Sequence, residues 1–266
     1  HTAIGMNFID VYFRSGLYPA PTGTPFTPGG EAAGVVTAIG AGVSHVKVGD
    51  RVAYVVALGA YSEERLVPAD RLVVVPDGIT DEQAAAMMLK GMTVQYLLRR
   101  TYRVVPGTTL LMHAAAGGVG LMAGPWARHL GATTIIGTVG SDEKIPLAKA
   151  HGYTHVINYR TQDFVAEVKA ITGGVGVDVV YDSVGKDTFP KSLDCLKPFG
   201  VFTSFGNASG NVPDFPLSML AQKGSLYATR PTLFTHIAKR ADLEAISADL
   251  FDVVSKGIVP VPINQT

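Results

Sequence analysis

The chain has 266 residues, 47% of them hydrophobic and 17% charged, which supplies a core for one large α/β unit or two modules and excludes a disordered polyelectrolyte. Lysine plus arginine number 22 and aspartate plus glutamate 22, so no broad field draws the chain toward nucleic acid or anionic lipid. The single cysteine, Cys195, excludes an intrachain disulfide and a cysteine-based zinc cluster, and fits a reducing, cytoplasmic compartment.

Thr2 to Phe8 reads as the interior of an element rather than its start. Between Gly34 and Pro76, short β-branched runs alternate with turn residues: Val35 to Ile39, Val46 to Val48, Val52 to Val56, Leu66-Val67 and Leu72 to Val75. This spacing predicts a compact all-β region. Pro76-Asp77-Gly78 then punctuates the chain, and Thr80 with Gln83 three residues on has capping-box spacing before the run Ala84 to Met88, so a helix begins there. No residue between Arg103 and Arg128 carries a formal charge, but Pro106, Gly107, Gly117, Gly118, Gly120 and Pro125 divide the stretch into a β-type run and a helical run, which excludes a membrane span.

Beyond residue 100 the pattern becomes strand, helix, strand. Thr108 to Met112, Thr133 to Val139, His155 to Ile157, Val177 to Tyr181, Val201 to Phe205 and Ser225 to Thr229 read as strands. Val119 to Leu130, Glu143 to Ala150, Phe164 to Ile171 and Ser192 to Leu196 read as helices. Such alternation implies an α/β fold with a doubly wound parallel sheet. The order 3-2-1-4-5-6 for such a sheet leaves Ser225 to Thr229 at an edge, and edge pairing with a second copy predicts a homodimer. Pro125 inside the helical run predicts a kink or an early end.

The turn His113-Ala114-Ala115-Ala116-Gly117-Gly118-Val119-Gly120 joins the first of these strands to a helix. Small residues there let a pyrophosphate approach the backbone and the helix N–H groups. Gly117 and Gly120 occupy the second and third glycine positions of the dinucleotide fingerprint, and Ala115 the first. Ala116, Gly117, Gly118, Val119 and Gly120 are therefore candidate cofactor contacts. A glycine-rich strand–helix contact without a ligand is the bland alternative. The second strand ends at Gly140-Ser141, where an acidic residue would bind the ribose of NAD. Lys144 follows, with Tyr159 and Arg160 after the third strand, and a cation beside hydroxyls suits the 2′-phosphate of NADPH. Gly140, Ser141, Lys144 and Tyr159 are the candidates for that corner. Asp142 and Glu143 oppose this reading if they face the phosphate, whereas at a helix start they complement the dipole.

Taken together, His1 to Asp10, Arg14-Ser-Gly-Leu-Tyr18-Pro19, Gly30-Glu31-Ala-Ala-Gly34, Val48-Gly-Asp50-Arg51-Val52, Leu89-Lys90-Gly-Met-Thr93, the glycine-rich turn and Tyr181-Asp182-Ser-Val-Gly185 resemble the zinc-independent quinone oxidoreductases. These are ζ-crystallin-like members of the medium-chain dehydrogenase/reductase superfamily. The resemblance covers essentially the whole chain. It implies a GroES-like β-barrel catalytic domain over residues 1–90, a Rossmann domain over 91–232 and the start of a return to the first domain over 233–266, with the family's first strands and much of its return segment missing. It also implies NADPH-dependent reduction of quinones, with Asn7 and Tyr18 as substrate or carbonyl contacts and Thr93 positioning the nicotinamide in an interdomain cleft. Phe205, Gly206 and Asn207, at the end of the fifth strand, are expected to border the nicotinamide.

The bland reading makes Asn7 a turn-capping amide and Tyr18 a packed aromatic. Zinc-dependent relatives hold their metal with two cysteines and a histidine next to a glutamate. Here Gly30 precedes Glu31, so no metal is expected, and His151 and His155 are separated by Gly152. Two alternatives remain: an enoyl or alkenal reductase using Tyr18 as proton donor, and a non-catalytic nucleotide-binding protein of crystallin-like or RNA-binding type. Zero net charge and the lack of aromatic RNA-recognition motifs count against the last.

Overall fold

A computed structural model describes residues 1–21 and 23–266. The chain forms two compact units, one of residues 1–93, 233–257 and 261–266 and the other of residues 94–232 and 258–260. No described helix is long and apolar enough to cross a membrane.

The first unit begins with strand β1 (Ala3–Gly5), helix α1 (Phe8–Arg14), β2 (Glu31–Val35), β3 (Arg51–Val55) and β4 (Val73–Val74). The four strands form one antiparallel sheet in chain order. Helix α2 (Asp81–Tyr96) starts at the expected capping box: the Thr80 N–H donates to Gln83 Oε1 at 3.0 Å and the Gln83 N–H to Thr80 Oγ1 at 3.2 Å. A π-helical turn, Leu97–Thr101, follows it.

Three expectations fail in this unit. The strand expected at Val35 to Ile39 lies four residues earlier, at Glu31–Val35, because Ala32 and Ala33 fill fully buried positions paired with β1 and β3. The runs Val46 to Val48 and Leu66-Val67 are not strands. Val46 is apolar because it packs, from a loop, into a cluster with Val36, Val52, Tyr54 and Leu72, against which Val67 also rests.

The second unit alternates β5 (Thr109–Met112), α3 (Gly118–His129), β6 (Thr134–Val139), α4 (Ile145–Ala150), β7 (His155–Asn158), α5 (Phe164–Ile171), β8 (Val177–Asp182), α6 (Lys191–Asp194), β9 (Leu196–Ser204), α7 (Ser218–Gln222) and β10 (Tyr227–Thr229). Its six parallel strands have the order β10-β9-β8-β5-β6-β7, the doubly wound 3-2-1-4-5-6 arrangement expected. Helices α8 (Leu233–His236) and α9 (Arg240–Ser255) close the chain within the first unit. The second unit's core joins Leu111, Ile136, Val180 and Phe202 from the strands to Phe164, Val168 and Leu193 from α5 and α6.

Pro125 does not end α3 early: the helix continues to His129. The missing N–H weakens one turn, but that turn is pressed against the chain at Gly152, where an added Cβ would come within 3.2 Å of the Pro125 nitrogen. Tertiary packing outweighs the local cost. At the sheet edge, Tyr227 to Thr229 are all exposed, whereas Leu226, just before the strand, is buried.

Candidate functional site

The carboxyl ends of the second unit's strands surround a cavity of about 590 Å³. Its lining brings together Ala116 and Gly117 from the β5–α3 turn, Gly140, Ser141 and Lys144 after β6, and Tyr159 and Arg160 after β7. These seven residues are separated by up to 44 positions in sequence and meet because the crossovers place successive strand ends side by side. A Cβ built on Gly140 would lie 3.6 Å from both the Tyr159 hydroxyl and Arg160 Nε, so the hydroxyl and the guanidinium converge over the glycine. Asp142 lies outside the lining, and its Oδ1 accepts from Asn158 Nδ2 at 2.8 Å; Glu143 is outside as well. The acids that threatened a phosphate reading therefore do not face the cavity.

The turn beneath is tight. Ala114 has φ +56°, so the left-handed residue of this turn is an alanine. Gly120 sits in the first turn of α3, where a Cβ would meet the Ala114 and Ala115 carbonyl oxygens at 2.5 Å. Gly118 and Val119 share that turn without lining the cavity. Leu121 begins the helical ladder by donating to Gly117 O at 2.9 Å, so the N–H groups of the first turn are left for a ligand or water.

Phe205, Gly206 and Asn207 follow β9 but lie outside the lining; the Phe205 N–H donates to Asp182 O at 2.8 Å, and Gly206 packs on Ser183. Their neighbours Ala208 and Ser209 do line it, as do Ala114, Val139, Val184 and Asp187, none of which stood among the candidates. The strand-end rule points to this segment, since Phe205, Gly206 and Asn207 follow β9 directly and Ala208 and Ser209 come next.

Below the cavity lies a fully buried polar network. Asp182 Oδ1 accepts from the Val184 and Gly185 N–H groups at 2.8 and 3.0 Å, and Oδ2 from Thr188 Oγ1 at 2.7 Å and Ser192 Oγ at 2.9 Å. With its proton committed to the carboxylate, Ser192 accepts from His113 Nε2 at 3.0 Å, which leaves His113 Nδ1 to accept from Thr138 Oγ1 at 2.8 Å. Neutral imidazole satisfies every partner. Burial pushes the His113 pKa below its usual value, with Asp182 opposing part of that shift.

In the first unit, Asn7 and Asp10 form a capping box at the start of α1, the Asn7 N–H donating to Asp10 Oδ2 at 2.9 Å. Asn7 Nδ2 donates to Glu31 Oε1 at 2.7 Å, so its donor end, expected to face a substrate oxygen, is held by a carboxylate of its own unit. Glu31 is fully buried and accepts two more bonds at 2.6 Å, from Lys90 Nζ and the Leu89 N–H. The Tyr61 hydroxyl donates to Asp10 Oδ2 at 2.9 Å, and burial together with the Asp10 and Glu31 carboxylates pushes its pKa up to about 12. Thr93 is buried on α2 one turn beyond Lys90. Tyr18 is half-buried, with its ring 5.1 Å from that of Tyr12 and 5.9 Å from that of Phe13.

The capping position of Asn7 matches its bland reading, whereas the Glu31–Lys90 pair was missed. Lys90 did leave a trace, as the one charged residue between Glu82 and Arg99. The donor set does not fit a zinc site: among the described residues no three His, Cys, Asp or Glu side chains gather as metal ligands, and both Glu31 oxygens are occupied by protein donors.

A glycine-rich turn under the strand ends of a doubly wound sheet, in a chain that also carries a small β-sheet unit, defines a dinucleotide-binding dehydrogenase or reductase of the medium-chain class. Residues 1–77 match the alcohol dehydrogenase GroES-like domain and residues 118–242 the zinc-binding dehydrogenase domain. A quinone oxidoreductase of Salmonella typhimurium is 55% identical over 264 residues, 99% of this chain and 80% of that protein. A 2-haloacrylate reductase of Burkholderia is 49% identical over 272 residues, 100% of this chain and 81% of that protein. The crystal structure of Escherichia coli quinone oxidoreductase complexed with NADPH superimposes with a TM-score of 0.95 at 52% identity, covering 98% of this chain and 80% of that one. The chain belongs to the quinone oxidoreductase family of the medium-chain dehydrogenase/reductase superfamily.

Proposed function

We propose that this protein reduces quinones with NADPH and without a metal ion. The observation that carries the cofactor choice is the corner of Gly140, Ser141, Lys144, Tyr159 and Arg160, which offers two cations and two hydroxyls to a 2′-phosphate while Asp142 is turned to Asn158. The residues fit the cofactor: Ala116 to Gly120 supply a small-residue turn and helix N–H groups for the pyrophosphate, and the Tyr159–Arg160 corner receives the adenosine end. Bound there, NADPH supplies two reducing equivalents.

Quinone carbonyls accept electrons readily, so the protein's share is to hold the ring and stabilise negative charge on oxygen. The metal-free part of this reading is supported by the protein donors that occupy both Glu31 oxygens. In this reading Asn7 and Tyr18 contact the substrate or its carbonyl, Thr93 positions the nicotinamide, and the backbone of Phe205, Gly206 and Asn207, directly after β9, borders it. The protein acts in the cytoplasm as a homodimer, paired through the exposed β10 edge.

The similarity to a 2-haloacrylate reductase favours a second reading, reduction of an activated carbon–carbon double bond. Steady-state turnover of NADPH and NADH with a panel of benzoquinones, naphthoquinones and haloacrylates separates the two. The proposal requires NADPH-dependent quinone turnover; turnover of haloacrylates alone selects the second reading, and tight NADPH binding with no turnover selects the non-catalytic one.

A further inference from the structure

The Glu31 cluster contains a charge that the family resemblance did not assign. Quinone reduction consumes NADPH, quinone and one proton from solvent, and yields NADP⁺ and hydroquinone. Two electrons and one hydrogen nucleus reach the quinone from the nicotinamide, so one quinone oxygen carries negative charge until the solvent proton arrives. A metal-free site must meet that charge with a donor. In the first unit, Asn7 Nδ2 is committed to Glu31 and the Tyr61 hydroxyl to Asp10. Lys90 differs from both. Its ammonium has three N–H groups, one of which goes to Glu31 Oε1, and its side chain remains 20% exposed while Glu31 is sealed. It lies one helical turn from Thr93, on the same face of α2.

We propose that Lys90 is a catalytic residue, the cationic donor that meets the reduced quinone's oxyanion, and that buried Glu31 is the positioning residue that aims it. Glu31 is suited to this task. Both its oxygens face groups that only donate, so it holds the lysine head at 2.6 Å and keeps a cation at this spot that bulk water would otherwise draw away. Glu31 and Lys90 place one negative and one positive charge in contact, and the ammonium retains two hydrogens for an incoming oxygen.

The inference rests on the quinone-reductase reading, and its test separates the two. Wild type, Lys90→Arg, Lys90→Met and the charge-balanced Glu31→Gln/Lys90→Met variant are compared with quinones ranging from electron-rich to electron-poor. Lys90→Met and the double variant should lose about a hundredfold in kcat with electron-rich quinones, whose reduced oxygens are most basic, and much less with electron-poor ones. NADPH affinity should stay within about twofold, since the loss belongs to the reducing step, and Lys90→Arg should recover most of the rate. A loss equal across the series, or no loss in folded variants, overturns the proposal.

If the variants do not fold, the unaltered protein decides: nitrophenols, inhibitors that mimic the reduced ring, should bind at least tenfold more tightly as phenolates than as phenols. Equal binding of the two forms overturns the proposal. Absence of quinone turnover in wild type refutes the functional reading instead, and leaves the phenolate measurement to judge Lys90.

Discussion

Replacing Lys144 by alanine removes one of the two cations at the corner proposed to select the cofactor. A 2′-phosphate carries about −1.5 to −2 charges at neutral pH. A unit charge pair 4 Å apart is worth about 1 kcal/mol in water and about 4 kcal/mol at an effective dielectric of 20. Lys144 and Arg160 are both exposed, which places their contribution near the lower limit. About 1.5 kcal/mol is therefore expected for Lys144, a loss of roughly tenfold in NADPH affinity with NADH nearly unaffected. Arg160 remains in the variant, so a residual preference for NADPH should survive until Arg160→Ala is added. The two losses should multiply to about a hundredfold if the cations act independently. Fluorescence titration of both cofactors at low and high salt measures this, and salt should narrow the gap as the Debye length falls from about 10 Å at 0.1 M to about 3 Å at 1 M. Equal losses for NADPH and NADH, or wild-type affinity for NADH matching that for NADPH, would refute the assignment of this corner.

Three further outcomes follow from the geometry. Gly120→Ala should destabilise the protein by about 1–3 kcal/mol in chemical denaturation and weaken both cofactors alike, although glycine to alanine normally stabilises a helix, because the new methyl meets two backbone carbonyls at 2.5 Å; a stabilised variant contradicts the close packing. His113 has a folded-state pKa below 6.5, so the unfolded chain binds the extra proton first and stability falls as pH drops below about 6.5; thermal melts from pH 7.5 to 5 should show this slope, and His113→Gln should flatten it. Tyr227→Asp, at the exposed β10 edge, should lower the dimer fraction in light scattering without changing the melting temperature of the monomer, while a wild type that stays monomeric at every concentration removes the dimer.

The second unit was the more legible half. Its central strands β6 and β8 are largely apolar runs buried on both faces, and each is closed by glycine or a polar turn, so neighbouring positions report the same element. The first unit is decided by distant partners. Glu31 reads as a surface residue, and its burial depends on Lys90, 59 positions further on. Val46 and Val67 read as strand residues because a core filled from loops needs the same apolar side chains as one filled from strands. At the cofactor corner, Gly140, Ser141, Lys144 and Tyr159 could be named because strand ends follow a topological rule, whereas Asp187 and Ser209 needed the actual paths of the turns after β8 and β9. The bond that turns Asp142 toward Asn158 spans two strands and leaves no local mark.

The cavity's rim and floor differ in how they can change. Lys144 and Arg160 are exposed side chains on separate turns, each removable with little disturbance to the fold. Asp182, beneath them, accepts four hydrogen bonds that join the end of β8, the turn bearing Val184 and the start of α6. Asparagine has one carbonyl oxygen to offer where two oxygens are used, and any apolar residue strands several buried donors, each costing about 1–3 kcal/mol. With the rim selecting the cofactor as proposed, a lineage carrying this fold can exchange one nicotinamide cofactor for the other through single, individually tolerable steps there. It has no comparable route for redesigning the floor, so preference between cofactors can drift while the capacity to bind a dinucleotide stays fixed.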